Sequence, residues 1–232
     1  MAFNYSPKTV TDGLVFAVDA ANKKSYPGSG TTWANLAGSN SGTLTNGPTF
    51  SSGNGGSIVF DGTDDSVVTT LTSNTVFNST FTVSMWFKMT DTDNTAFPRL
   101  FDKSADNSTN SGFTAFLYDS NANDTDAVLY LKVTNSSTLA YSSINVNTWY
   151  HLTAVYFDSQ YKVYINGGSA NTSSHSNALS NVTTSNALTI GNTSSTGRPF
   201  AGNIATTSIY NRELSQAENT QNYNALKSRF GL

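Results

Sequence analysis

The nine residues Phe81–Met89 read F-T-V-S-M-W-F-K-M, and their alternation constrains the fold more than any other feature of the chain. Phe81, Val83, Met85, Phe87 and Met89 are apolar; Thr82, Ser84 and Lys88 are polar, with Trp86 the exception. A period of two lines one face of an extended strand with apolar side chains and leaves the other face wetter. Short runs of this kind recur along the chain. They include L-V-F-A-V-D (14–19), S-I-V-F (57–60), S-V-V-T-T-L (66–71), R-L-F-D (99–102), F-T-A-F-L-Y (113–118), A-V-L-Y-L-K-V (127–133) and T-L-A-Y-S-S-I (138–144). W-Y-H-L-T-A-V-Y-F (149–157), Y-K-V-Y-I (161–165), A-L-T-I-G (187–191) and N-I-A-T-T-S-I-Y (203–210) follow. Most are bounded by Gly, Asn, Asp or Ser, and the even spacing predicts an all-β chain folded as a two-sheet antiparallel β-sandwich. The run 149–157 carries aromatic residues on both faces, so a central strand covered on both sides is expected there.

Turn chemistry agrees with this reading. Asn166-Gly167 follows Y-K-V-Y-I, and both residues tolerate the positive φ of a tight hairpin. The stretch 169–186 is mostly Ser, Thr and Asn and reads as a long loop or weak edge strands; G-N-G-G (53–56) reads as a flexible loop. The C-terminal region changes character. Ser215 and Glu218 form the S-x-x-E capping box of a helix expected over about 215–228, with Tyr223, Leu226 and Phe230 packing on the sandwich. No interdomain linker is evident, so one domain over 1–232 is expected, with a short N-terminal arm over 1–12.

The polarity of the chain is uncharged. Asn, Ser and Thr number 27, 32 and 33, while charged residues make up 12%, against roughly 25% in ordinary globular proteins. The net charge is −3 and Lys and Arg form no cluster, which argues against a nucleic-acid partner. There is no Cys, hence no disulfide and no thiolate metal site. No apolar run approaches the 18 or so residues that cross a bilayer, so no membrane insertion is expected. The N-terminus M-A-F-N-Y-S-P-K-T-V lacks a basic stretch followed by an apolar one, which points to synthesis in the cytoplasm without a signal peptide.

Catalytic patterns are missing. Glycosidases place two carboxylates about 5–10 Å apart, yet the only glutamates are Glu213 and Glu218 and no E-x-D pattern occurs. Of the two histidines, His151 lies in a predicted strand and His175 in the polar loop S-S-H-S-N, and no G-x-S-x-G elbow presents a serine. A non-enzymatic chain is therefore expected. One acidic concentration stands out. F-D-G-T-D-D-S-V (60–67) places Asp61, Asp64 and Asp65 in a loop between two predicted strands. These residues can cap backbone N–H groups in a turn. Alternatively they can supply oxygen ligands to a structural Ca²⁺, which takes 6–8 of them and suits irregular loops.

Several segments together resemble the laminin-G-like members of the concanavalin A-like lectin/glucanase superfamily. They are G-S-I-V-F-D-G-T-D-D-S-V (56–67), F-T-V-S-M-W-F-K (81–88), W-Y-H-L-T-A-V-Y-F (149–157), Y-K-V-Y-I-N-G (161–167) and F-A-G-N-I-A-T-T-S-I-Y-N-R-E-L-S (200–215). Residues 14–36 and 221–232 resemble a narrower group found as modules of tailed-bacteriophage virion proteins. The resemblance implies a jelly roll of two sheets, each of about six or seven strands, with first and last strands side by side near 14–19 and 203–210. It implies structural roles for Trp86, Trp149, Tyr210 and Arg212, and calcium at Asp61, Asp64 and Asp65. Relatives often carry D-E in the last strand, where this chain has Ala205-Thr206; helix positions Asn219 and Thr220 are often apolar in the group.

The expectation is a virion surface protein of a tailed phage: a capsid decoration, fibre or tail component. Its partners would be other virion proteins and host-surface glycans. A free-standing carbohydrate-binding lectin module is the alternative, and a glycoside hydrolase the less favoured one. Sugar binding needs aromatic platforms and planar polar groups near loops. The candidates are Tyr26, Trp33, Phe97, Arg99, Tyr161 and Arg198, with a core anchor the competing role for Trp33.

Overall fold

A computed structural model describes residues 7–91, 97–105, 111–119, 125–134 and 139–232. Its strands, in chain order, are β1 (Leu14–Asp19), β2 (Thr32–Ala34), β3 (Ser41–Thr45), β4 (Thr49–Ser51), β5 (Ser57–Asp61), β6 (Ser66–Thr69), β7 (Phe81–Met89) and β8 (Arg99–Ser104). Then come β9 (Gly112–Tyr118), β10 (Asp126–Val133), β11 (Leu139–Asn145), β12 (Trp149–Tyr156), β13 (Gln160–Ile165), β14 (Asn171–Ser174), β15 (Thr189–Ile190) and β16 (Ala201–Tyr210). They form two antiparallel sheets. Sheet A runs β14-β13-β12-β7-β16-β5-β4, with β1 alongside the second half of β16; sheet B runs β11-β10-β9-β8-β15-β6-β3-β2. Each sheet has eight strands, more than the expected six or seven. The extra strands are short edge pieces such as β2 and β14, too brief and polar to show an alternating pattern. The first and last strands do pair, from Leu14 opposite Tyr210 to Asp19 opposite Thr206.

The core lies between the sheets, where β7 lays Phe81, Val83, Met85, Phe87 and Met89. Phe81 stacks on its cross-strand partner Tyr156 at 4.8 Å between ring centroids. Trp86, on the opposite face of β7, is buried as well. It packs outside sheet A with Trp149, Ala205 and Phe230, so the central strands are covered on both sides as their aromatic content predicts.

The cover on that outer face is α1 (Gln216–Leu226), capped by Ser215 with Glu218 in a complete capping box, followed by a 3₁₀ turn over Lys227–Phe230. The residues that α1 buries are Asn219 and Asn222. Asn222 accepts from Val10 N at 2.8 Å and donates to the Tyr210 hydroxyl at 3.1 Å. Asn219 is fully buried, and neither of its amide atoms has a partner among the described residues. Trp86, Tyr223 and Phe230 supply the apolar contact. Trp86 stacks on Phe230 at 4.2 Å and on Tyr223 at 5.7 Å.

Two loops hold the helix. Asn166 (φ 52°) and Gly167 (φ 70°) make the predicted turn after β13, on the way to β14, closed by Gly168 N donating to Ile165 O at 2.9 Å. A Cβ at Gly167 would meet Tyr223 at 2.8 Å, so glycine is what lets α1 approach the hairpin. The G-N-G-G loop, expected to be flexible, is instead a docking point. Asn54 accepts from Trp149 Nε1 (3.1 Å) and donates to Arg229 O (3.0 Å), and its carbonyl accepts from Arg229 Nε (2.6 Å).

On the core side of β8, Lys103 is fully buried, yet its Nζ donates to the carbonyls of Thr72 (3.0 Å), Thr184 (3.3 Å) and Asn186 (2.7 Å). Burial pulls its pKa down to about 8. Two loops, the one after β6 and the one before β15, are thereby tied to one ammonium group.

Candidate functional site

Two clusters have the chemistry of a site. The first is the loop between β5 and β6. Asp61 Oδ1 accepts from Thr63 N (2.8 Å), the turn-forming role expected of an Asp before Gly. Asp65 Oδ2 accepts from Asp61 N (2.9 Å), while Asn46 and Asn192 donate to the carbonyls of Asp64 and Asp65. Carboxylate oxygens of Asp61, Asp64 and Asp65 all lie within 4.8 Å of one another. Asp61 and Asp64 are exposed; Asp65 is 3% exposed, and its Oδ1 has no partner among the described residues. Burial raises the Asp65 pKa, and repulsion from Asp61 and Asp64 adds to the rise. Both the turn reading and a cation-binding reading therefore find support in the same loop. Ala201, not Ala205 or Thr206, stands opposite Asp61 across the sheet. The residues that replace the family's D-E pair lie beside Trp86.

The second cluster is on the outer face of sheet B. In β9 the core takes Phe113, Ala115 and Leu117, and in β10 it takes Leu129 and Leu131. Phe116, Tyr118 and Tyr130 therefore point outward. Phe116 stacks on Tyr130 at 5.1 Å. Phe97 stacks on Tyr118 at 4.7 Å and meets Phe116 edge-on at 6.1 Å. Phe97 holds φ at 50°, a conformation a bulky residue avoids unless its surroundings enforce it. The Arg198 guanidinium lies 5.1 Å from the Phe97 ring centre, and that of Arg99 lies 4.8 Å from Phe116. Arg99 also donates to Phe97 O (3.0 Å) and pairs with Asp102 at 3.6 Å.

This cluster has two layers. Phe97, Tyr118, Tyr130 and Arg198 are half-buried and reach solvent; Phe116, Arg99 and Asp102 are buried beneath them. Burial raises the Asp102 pKa to about 6, outweighing the attraction of Arg99, and lowers that of Arg99 to about 10. The lower layer is a fixed support, and the upper layer brings three partly exposed aromatic rings and one guanidinium together.

Of the six residues expected to touch a ligand, the structure brings together Phe97, Arg99 and Arg198, with Arg99 in the supporting layer. The other three are corrected. Trp33 is fully buried in the core, the anchor role that competed for it. Tyr26 is buried against Phe50, its hydroxyl donating to Gly30 O at 2.8 Å. Tyr161 is fully buried between Tyr156 and His175, its hydroxyl accepting from Val133 N at 2.7 Å. None of these rings presents a face to solvent. Phe116, Tyr118 and Tyr130 were not expected; their signal is the aromatic residue at the wet positions of two alternating strands.

A Ser–His contact also occurs. His151 Nε2 lies 2.9 Å from Ser84 Oγ, both buried on the outer face of sheet A. Burial lowers the His151 pKa to about 3. Its Nδ1 has no partner among the described residues, so no carboxylate orients the ring. Glu213 pairs with Lys162 (2.7 Å) and Glu218 with Arg212 (2.6 Å), away from that contact.

The fold has many relatives among solved structures. The chain aligns over 94% of its length with Trypanosoma rangeli sialidase in complex with 2,3-difluoro-KDN, at 15% identity and a TM-score of 0.69. It spans only 33% of that chain. Domain 4 of AbnA, a GH43 extracellular arabinanase of Geobacillus stearothermophilus solved with arabinotriose, matches 90% of this chain and 98% of its own (18% identity, TM-score 0.65). A botulinum neurotoxin type C structure, from work linking cell entry to interaction with two ganglioside molecules, matches 94% of this chain and 52% of its own (16% identity, TM-score 0.66). At these identities the likeness speaks to the fold. No curated protein sequence matches the chain. Residues 61–218, from the first aspartate of the rim to the capping box, match the Laminin_G_3 family, and the chain therefore belongs to the concanavalin A-like lectin/glucanases superfamily.

Proposed function

We propose that this chain is a non-enzymatic glycan-recognition module whose binding surface is the outer face of sheet B. The carrying observation is the cluster of Phe97, Tyr118 and Tyr130 with Arg198 at its edge, built over the buried Arg99–Asp102 pair. Sugar rings present C–H faces that rest on aromatic planes, while a guanidinium donates to hydroxyl or carboxylate oxygens in a fixed geometry. Fixed supports reduce the ordering cost of binding, and the strained backbone of Phe97 fits such a surface. The similar arabinanase domain, solved with arabinotriose, supports the reading by analogy of fold.

The setting we propose is the surface of a tailed-phage virion, where the module would sit beside other virion proteins and meet host glycans. The support is the likeness of residues 14–36 and 221–232 to modules of such virions. We further propose a structural calcium at Asp61, Asp64 and Asp65. The buried, unpartnered Asp65 Oδ1 beside two other carboxylates is what a cation would relieve. Catalysis is not proposed, because both glutamates are held in ion pairs and the Ser84–His151 contact is buried without an orienting carboxylate.

A glycan array probed with the purified chain and with Tyr118→Ala and Arg198→Ala tests the binding surface. The expected result is retention of a defined glycan set by the parent chain, with about tenfold weaker binding by either variant. Loss of no signal in either variant would move the site elsewhere, and silence of the parent chain across the array would overturn the reading.

A further inference from the structure

On the far side of the sandwich, between β1, β16 and the end of α1, lies an open cleft of about 230 Å³. Its wall is made by Asp19, Asn22, Thr206, Ser208, Leu36 and Leu226, among others. At its inner end is a second cavity of about 20 Å³. Thr206, Ser208 and Leu226 line both spaces, so the two adjoin.

The cleft is built for hydroxyl groups. Asp19 Oδ1 is held by Arg229 Nη1 (2.8 Å) and Ala21 N (2.9 Å), which fixes the carboxylate and keeps its Oδ2 available. Asn22 uses its Oδ1 to accept from Lys24 N, and its amide nitrogen has no partner among the described residues. Thr206 is 8% exposed, and its hydroxyl has no protein partner there either. At the mouth stands Leu36, 44% exposed, one of two large apolar side chains so exposed among the described residues. Behind the floor, Trp86 Nε1 and His151 Nδ1 are buried without partners, and both residues line the inner cavity. That cavity has room for about one water.

We infer that this cleft is a second binding site, separate from the sheet B surface, that takes a single neutral pyranose-sized sugar unit. The volume is below the roughly 300–1,000 Å³ of pockets for larger ligands. The one carboxylate is already neutralised by Arg229, so neither an anion nor a cation is favoured over a neutral polyol. Acceptor, donor and hydroxyl groups lie around a ring-sized space, with Leu36 and Leu226 offering apolar contact for a C–H face. A water in the inner cavity would join the ligand to His151 and Trp86.

The test uses the whole chain, uniformly ¹⁵N-labelled, titrated with the methyl pyranosides of glucose, galactose and mannose. The expected result is saturable movement of the amide signals of Ala17, Asn22, Leu36 and Ser208 by at least one of the three. Thr206→Val should weaken that response about fivefold, as loss of one neutral hydrogen bond does. Leu36→Ala, at an exposed position that the fold does not need, should weaken it as well. No movement at these amides with any of the three sugars overturns the inference, as does an unchanged response in both variants. Movement confined to the amides around Tyr118 and Tyr130 would also overturn it, while leaving the sheet B reading standing.

Discussion

The rings of Trp86 and Phe230 lie 4.2 Å apart between centroids and within 16° of parallel. They join the middle of the central strand to the last turn of the chain. Phe230 also meets Trp149 at 4.6 Å. Phe230→Ala should therefore lower stability by about 3 kcal/mol, the usual cost of emptying a buried aromatic site. Thermal melting should show a drop of about 6–12 °C. A melt within a degree of the parent would mean that the C-terminal turn is not docked as described.

Asn219 is the opposite case: a fully buried side chain whose amide finds no partner among the described residues. An unpaired buried amide costs about 1–3 kcal/mol. Asn219→Leu, similar in size, should stabilise the chain by about 1 kcal/mol or more, seen as a higher Tm. A lower Tm would show instead that ordered water satisfies the amide.

The calcium proposal predicts a ligand-dependent melt. With calcium about tenfold above its Kd, Tm should exceed that in EDTA by about 3–6 °C. Asp65→Asn should abolish the difference. Equal melts of the parent chain in calcium and EDTA would leave the three aspartates with turn formation alone.

Acid should weaken the fold through two groups whose windows overlap only between pH 4.5 and 3. Burial depresses the His151 pKa from 6.5 to about 3. Below pH 6.5 the unfolded chain takes up a proton that the native one refuses, so stability falls as pH drops from 6.5 toward 3. Arg212 holds Glu218 down at about 2. Its contribution is present above pH 4.5 and fades as pH falls toward 2. Asp102, raised by burial to about 6, works against His151 between pH 6 and 3.8, because there the native chain binds the extra proton. The comparison of His151→Gln with the parent isolates the histidine. Denaturant melts should show the variant losing less stability than the parent as pH falls from 6.5 toward 3, while the loss due to Glu218 below pH 4.5 is retained. Parallel curves across the whole range would refute the assignment.

Much of this architecture can be read before any coordinates. The alternation in 81–89 marks which side chains of β7 enter the core, and Ser215 with Glu218 marks where the helix starts, because both signals are local. The expected ligand residues fared unevenly for a physical reason. Tyr26, Trp33 and Tyr161 sit near loops in sequence, but a loop position says nothing about which way a ring turns, and burial of large aromatic surface pulled all three inward. Tyr118 and Tyr130 are on strands, where the period of two does fix direction; their outward aromatic faces were legible in 113–118 and 127–133. The cleft beside α1 is illegible from the sequence because β1, β16 and the helix contribute to it from opposite ends of the chain.

Lys103 carries a further consequence. Its ammonium draws three main-chain oxygens from two segments far apart in the sequence onto one positive charge. Because that charge is covalently part of β8, chelators cannot strip it and dilution cannot lower its occupancy. This end of the sandwich therefore keeps its clasp whatever ions are present, and mildly alkaline solution, above about pH 8, would loosen it by removing the proton.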